Sequence, residues 1–317
     1  EADIKTYHYT IFNMRKLAMS NGQCAVSHAL RANDPFGKYK PETQQPVRKL
    51  KVQGDETLRE LKKVFKRFLR KKIKETQERG FFTEQDVAKE MIRGIFYTAE
   101  DVEKFSLALA EFQDKKDFAE KAGRFLSVLI NEGKDSDYIV HTRHLEHISY
   151  IGIKNTKNIT IEGHSGYAAA YGMSGGRIIV NGDVELDAGE FLSGGELILN
   201  GNATSRIGYH MSGGKIVLHG NIENSSGYSS VGDVMVGGEV MIFGNVNYSV
   251  GSSMKGGKIT IYGNAGENIG KMMEGGEIHL EGDYKSLAGH YPNPYIDKYR
   301  AGLIFHKGKL ILDRTTL

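Results

Sequence analysis

The sequence holds a single cysteine, Cys24, among 317 residues. A lone thiol cannot close a disulfide within the chain, so the composition suits a reducing compartment and predicts a cytoplasmic protein. Long apolar runs are missing as well. None approaches the roughly 20 residues that a membrane helix needs, which predicts no membrane partner. The opening EADIKTYHYT lacks the apolar stretch of a secretion signal. Five prolines and no G-X-Y period exclude collagen. Charge is close to balanced, and a net charge of +3 singles out no partner.

Glycine is in excess, with 39 residues, most of them after Gly152. Gly-Gly pairs fall at 175/176, 194/195, 213/214, 237/238, 256/257 and 275/276, at intervals of 19, 19, 24, 19 and 19 residues. A second ladder keeps the same beat: Gly182-Asp183, Gly201-Asn202, Gly220-Asn221, Gly244-Asn245, Gly263-Asn264 and Gly282-Asp283. A third glycine recurs at 189, 208, 227 or 232, 251, 270 and 289. Agreement of these positions over six units marks a solenoid.

Between each Gly-Gly and the next Gly-Asn or Gly-Asp lie five residues, such as RIIVN, KIVLH and KITIY, with apolar second and fourth places. That alternation is a short strand with one buried face. The buried pairs are Ile178/Val180, Leu197/Leu199, Ile216/Leu218, Val240/Ile242, Ile259/Ile261 and Ile278/Leu280. A second apolar column is Met173, Leu192, Met211, Met235, Met254 and Met273, and a third is Val184, Ala203, Ile222, Val246 and Ala265. The stacked methionines read as core filling rather than as a soft-metal path.

Glycines between strands are expected to supply positive-φ corners: Gly176, Gly195, Gly214, Gly238, Gly257 and Gly276, together with Gly182, Gly201, Gly220, Gly244, Gly263 and Gly282. The ladder Asp183, Asn202, Asn221, Asn245, Asn264, Asp283 is expected to bond side chain to side chain along the stack. The fold expected is mixed and mainly β: a parallel β-helix of three short strands per 19-residue coil and about seven coils, preceded by a small helical domain. Its boundaries are 1–54 (partly helical, with a polar linker), 55–135 (helical bundle) and 136–317 (β-helix with a degenerate first coil). The end, LIFHKGKLIL (303–312), reads as a closing hairpin or strand pair.

Two of these units, GNATSRIGYHMSGGKIVLHGN (201–221) and GNVNYSVGSSMKGGKITIYGN (244–264), carry a resemblance to the GXGXG domain. That domain forms the C-terminal part of the glutamate synthase large subunit and most of one of the subunits of formylmethanofuran dehydrogenase. The resemblance covers residues 158–290. It implies a right-handed parallel β-helix that holds catalytic domains or subunits in place and carries no catalytic residues. The partners it implies are protein subunits, as in an oxidoreductase complex; a second copy of the chain is the alternative protein partner. Nothing in the sequence points to a cofactor.

Upstream, helical spacing predicts helices over 55–79, 83–97, 98–113 and 114–133. Asp55, Thr83 and Thr98 stand where N-caps belong, and Gly80 and Gly133 where helices end. The first helix carries ten Lys/Arg and three Glu between Arg59 and Arg79. Lys62, Lys63, Lys66, Arg67 and Arg70 therefore form either an anion face for nucleic acid or lipid, or a solvated helix face.

Other chemistry is thinly represented. His141, His144 and His147, with Glu146 beside them, are a metal-ligand set or an exposed polar edge. Cys24 and His28 sit at i, i+4 without a visible orienting group. Asp183, Asp187, Glu190 and Glu196 do not recur as stacked carboxylates, so a polysaccharide-cleaving site is not indicated. The five extra residues near GYSSVGDVMVGG (227–238) mark Tyr228, Ser229, Ser230 and Val231 as a partner loop or a tolerated bulge. The leading expectation is a non-catalytic scaffold. An anion-binding protein using the basic helix, and an enzyme with a site where helices meet solenoid, are the alternatives.

Overall fold

A computed structural model describes residues 56–71, 83–223, 231–288 and 301–313, which belong to one compact unit, Lys49–Leu317. Among the described residues four helices precede the solenoid: α1 (Glu56–Arg70), α2 (Thr83–Ile92), α3 (Ala99–Ala108) and α4 (Phe118–Glu132). α2, α3 and α4 are shorter than the periodicity predicts, and the part of the first predicted helix beyond residue 71 lies outside the described residues. α2 stops before Gly94, which takes a φ of 85°. α3 tightens into a 3₁₀ turn over Leu109–Phe112. Thr98 closes a reciprocal capping box with Asp101. At the other end of α1, the buried Lys121 ammonium donates to the carbonyls of Leu69 and Lys71, both at 3.0 Å. This cation answers the exposed carbonyls and negative dipole end of the basic helix. Phe65 is the hub of the helical core, with the rings of Phe105, Phe112 and Phe125 within 5.5 Å.

The rest is a parallel β-solenoid. One face is a ten-stranded sheet in the order β1-β2-β3-β5-β7-β8-β10-β12-β13-β14. Its strands are β1 (Asp137–His141), β2 (Asn158–Glu162), β3 (Ser174–Val180), β5 (Gly194–Leu199), β7 (Lys215–Leu218), β8 (Glu239–Ile242), β10 (Lys258–Ile261), β12 (Glu274–Leu280), β13 (Ala301–His306) and β14 (Lys309–Asp313). The parallel register runs from Asp137 to Asn158, Arg177, Glu196, Lys215, Glu239, Lys258 and Glu277. That is seven turns, each returning one place further along the stack. The closing hairpin is present: β14 turns back antiparallel onto β13 through Lys307-Gly308.

The other two sides are less regular than three strands per coil. β4 (Val184–Leu186) pairs with β6 (Ala203–Ser205), and β9 (Val246–Tyr248) with β11 (Ala265–Glu267). The third side is held by single bridges such as Ile207 to Val231 and Val231 to Val250. Every aliphatic column predicted to face inward is buried, and Ile207, Val231, Val250 and Ile269 add a further column on that third side. Helices and solenoid share one continuous apolar core.

Two expectations about the corners change. The second glycine of each pair does take positive φ, from 68° at Gly176 to 91° at Gly238. The Gly182 column does not. Those positions are glycine because the corners stack so tightly that a Cβ on Gly201 would meet the carbonyl oxygen of Gly182 at 2.5 Å. The polar ladder is also built differently. Each side chain accepts from the backbone of the next coil: Asp183 Oδ1 from Asn202 N–H, Asn202 from Asn221, and Asn221 from Asn245, each at 2.8 Å. Asn245 and Asn264 continue it to Asp283. A side-chain ladder stands two residues earlier, where Asn200 Nδ2 donates to Asn181 Oδ1 at 2.7 Å and Asn181 Nδ2 to Glu162 Oε1 at 2.8 Å.

Candidate functional site

The three histidines do not converge. His141 Nε2 lies 2.9 Å from Glu103 Oε1 of α3. His144 turns into the seam beside Ser106 and Leu107, where burial pushes its imidazole below the ordinary value. His147 Nδ1 lies 3.1 Å from Glu185 in a later coil, and that carboxylate raises its pKa. Among the described residues no group of three or more His, Cys, Asp or Glu side chains could hold a metal. The histidines instead fasten α3 and the first coil to their neighbours.

On the basic helix, Lys62 is half-buried and paired with Glu111 at 2.5 Å. Lys63, Lys66, Arg67 and Arg70 are exposed. A cleft of about 480 Å³ between α1 and α2 sets Arg67 and Lys71 against Asp86 and Glu90, so its charges oppose one another. No helix among the described residues is long and apolar enough to cross a membrane.

The five-residue insertion falls before Val231 rather than after it. Val231 pairs with Ile207 and is fully buried, and Gly232 takes the place of Gly208. Val231 is therefore a core residue. Tyr228, Ser229 and Ser230 lie outside the described residues, as do Cys24 and His28. The junction of α4 with the first coil is filled: Ser127 Oγ donates to Gly123 O at 2.7 Å and receives Gly152 N–H at 2.8 Å.

A polar cluster that sequence patterns did not reveal lies on the third side. Arg206 Nε approaches Asp187 Oδ1 at 3.1 Å, and its guanidinium lies 4.1 Å from the ring centre of Tyr209. Phe191 and His210 stack at 5.1 Å one coil apart. Arg206 also acts on Asp233, whose carboxyl is pushed up from 3.8 to about 6, chiefly by burial. The native state therefore binds more protons than the unfolded chain between those values, and this group weakens the fold progressively as pH rises through them. Replacing Asp233 by Asn is expected to leave stability little changed at about pH 4 and to raise it on the order of 1–2 kcal/mol at about pH 7.5. Thermal melts at both pH values check this; equal effects at the two would contradict the assignment.

Among the described residues the outer face of the ten-stranded sheet is a regular surface. Strand geometry sends alternate side chains outward, and the register stacks them in columns. The first column reads Arg177, Glu196, Lys215, Glu239, Lys258, Glu277, with ion pairs Arg177–Glu196 at 2.8 Å and Lys215–Glu239 at 3.6 Å. Sign alternates at every step, which avoids stacking like charges one strand apart. The middle column reads Ile139, Thr160, Ile179, Ile198, Val217, Met241, Thr260, His279, Phe305 and is mostly apolar. Beyond it His219, Phe243 and Tyr262 stack face to face at 5.1 and 4.7 Å. Phe243 is 44% and Tyr262 42% exposed, so this stack faces solvent. The signal is present in the sequence, in the odd places of the pentapeptides read down the 19-residue spacing rather than along the chain.

The chain matches no protein-family model and no curated protein.

Proposed function

We propose that this chain is a non-catalytic scaffold whose solenoid brings protein subunits together through the outer face of the ten-stranded sheet. One observation carries the reading: a mostly apolar column, edged by exposed aromatic rings and by a charge-alternating row, on a surface stiffened by seven stacked turns. Half-buried and exposed apolar side chains gathered on one face and rimmed by polar groups are a feature of interaction sites. Rigid backing lowers the entropy lost on docking. The resemblance of the repeat to the GXGXG domain points the same way, toward holding the subunits of an oxidoreductase in a reducing, cytoplasmic setting.

Cross-linking in native host cells, followed by purification at low salt, tests the proposal. Lys215 and Lys258 stand on the face and report directly on what covers it. Links from these lysines to another protein chain, either an oxidoreductase subunit or a second copy of this one, are the expected result. Links confined to the exposed lysines of α1, with nucleic acid recovered alongside, would replace the scaffold with the anion-binding alternative.

A further inference from the structure

We infer that the outer sheet face takes a second copy of this chain, packed face to face with the solenoid axes antiparallel. The inference rests on reading that face as a docking surface and adds its occupant. A twofold axis lying in the interface parallel to the strands reverses the strand order and sets each outward column against itself. Placed between β7 and β8, the axis sits at the midpoint of the sheet, with five strands on either side. Arg177 then faces the partner's Glu277, Glu196 faces the partner's Lys258, and Lys215 faces the partner's Glu239. These three charged pairs are opposite in sign, and each occurs twice; only at the rim do like charges meet, Asp137 of β1 against the partner's Asp313 of β14.

Sliding the partner by one strand puts Lys215 against its own copy and Glu196 against Glu239. Every pair is then repulsive. The alternating column thus selects the register that gives full overlap, and penalises its nearest competitors. The alternative axis, along the solenoid, would set the charged column against Asn181, Asn200, His219, Phe243 and Tyr262, where no such matching exists.

The apolar column agrees with the same axis. Val217 and Met241 meet at the centre, where a buried contact counts most. At the far ends Ile139 and Leu310, 42% and 44% exposed, face each other. Ten strands of about five residues cover on the order of 700 Å² per protomer, close to the roughly 800 Å² per partner of a standard interface.

The full chain tests this without substitution. Within one molecule Glu196 and Lys258 are three strands apart, roughly 14 Å, too far for a zero-length carbodiimide link. Mixed isotope-labelled and unlabelled protein should give a Glu196–Lys258 link between molecules, and mass photometry should show a dimer. Val217→Lys should raise the dimer's dissociation constant at least tenfold, with an unchanged circular dichroism spectrum. A variant with the whole column inverted (R177E, E196K, K215E, E239K, K258E, E277K) keeps alternation within the chain. It should dimerise with itself and refuse the wild type. A monomer at tens of micromolar overturns the inference. So does a dimer that lacks the Glu196–Lys258 link or mixes freely with the inverted variant. A monomer whose Lys215 and Lys258 still cross-link to other subunits in cells overturns the second copy and leaves the scaffold standing.

Discussion

Gly214→Val is expected to destabilise the protein by about 3 kcal/mol or more, lowering the melting temperature by roughly 6–12 °C in a domain of this size. Positive φ is only part of the reason. Gly214 sits at φ 77°, but the same solenoid holds Asp187, Phe191, Arg206, His210, Ser253 and Met272 at φ between 52° and 67°. Even the β-branched Val234 is accommodated at φ 56°. Left-handed backbone costs an L-residue on the order of 1–3 kcal/mol, and here the stack tolerates that repeatedly. What sets Gly214 apart is the coil beside it. A Cβ there would lie 2.8 Å from Gly195 O and 2.9 Å from Gly194 C, and would overlap the side chain of Leu192. The leucine could swing aside; the backbone cannot move without breaking the ladder. Gly257 repeats the situation against Gly238 O at 2.8 Å and Met235 Cε at 2.6 Å. Gly257→Ala should therefore cost nearly as much as Gly214→Val, because the first added carbon makes the clash. Thermal and urea melts of both variants check this. A mild effect of Gly257→Ala beside a severe one of Gly214→Val would place the cost in the branches of the valine side chain rather than in the first added carbon.

That comparison explains what is legible in the sequence. Wherever each coil presents the same neighbours as the last, the residue type repeats and the spacing exposes it. Ile216 and Leu218 can be placed inside because Leu197 and Leu199 below, and Val240 and Ile242 above, require it. Glycine reveals where the corners are but not why, since two different demands select it: handedness with close approach at Gly214, close approach alone at Gly220. On the third side, Asp187 and Arg206 occupy one left-handed column and Phe191 and His210 another. Nothing in those residue types advertises the conformation, so the third side shows in the spacing only through the glycines at 208, 232, 251 and 270, and the aliphatic column of Ile207 and Val231 beside them goes unread. The insertion lies earlier than the spacing suggests for a related reason. Gly227 and Gly232 fit the repeat equally, and only the pairing of Val231 with Ile207 decides between them. The histidines show the opposite failure. Their spacing along the chain is regular, yet chain spacing does not govern where side chains meet on an extended segment. His141 turns to Glu103 and His147 to Glu185.

Gly123→Ala should reverse the usual rule for helices. Alanine is the better helix former, and an exposed glycine-to-alanine change in a helix interior stabilises by about 1 kcal/mol. Gly123 lies in the middle of α4, on the side that crosses the first coil. A Cβ there would coincide with the carbonyl oxygen of Ser149 and approach Ser149 C at 2.9 Å and Ile151 N at 3.1 Å. One turn on, Ser127 Oγ holds the same seam through Gly123 O, Tyr150 O and the N–H of Gly152. Alanine must therefore lift α4 off the solenoid, stretching these bonds and opening the apolar core that runs unbroken from Phe125 to Ile151. The expected loss is about 3 kcal/mol, against the gain of about 1 that helix propensity alone predicts. Hydrogen exchange distinguishes the causes: amides of α4 and of 149–153 should lose protection together, while those of β8 and β10 keep theirs. A stabilised Gly123→Ala variant would mean that the helices do not seat on the first coil in this way, and that the solenoid's N-terminal end is closed by other means.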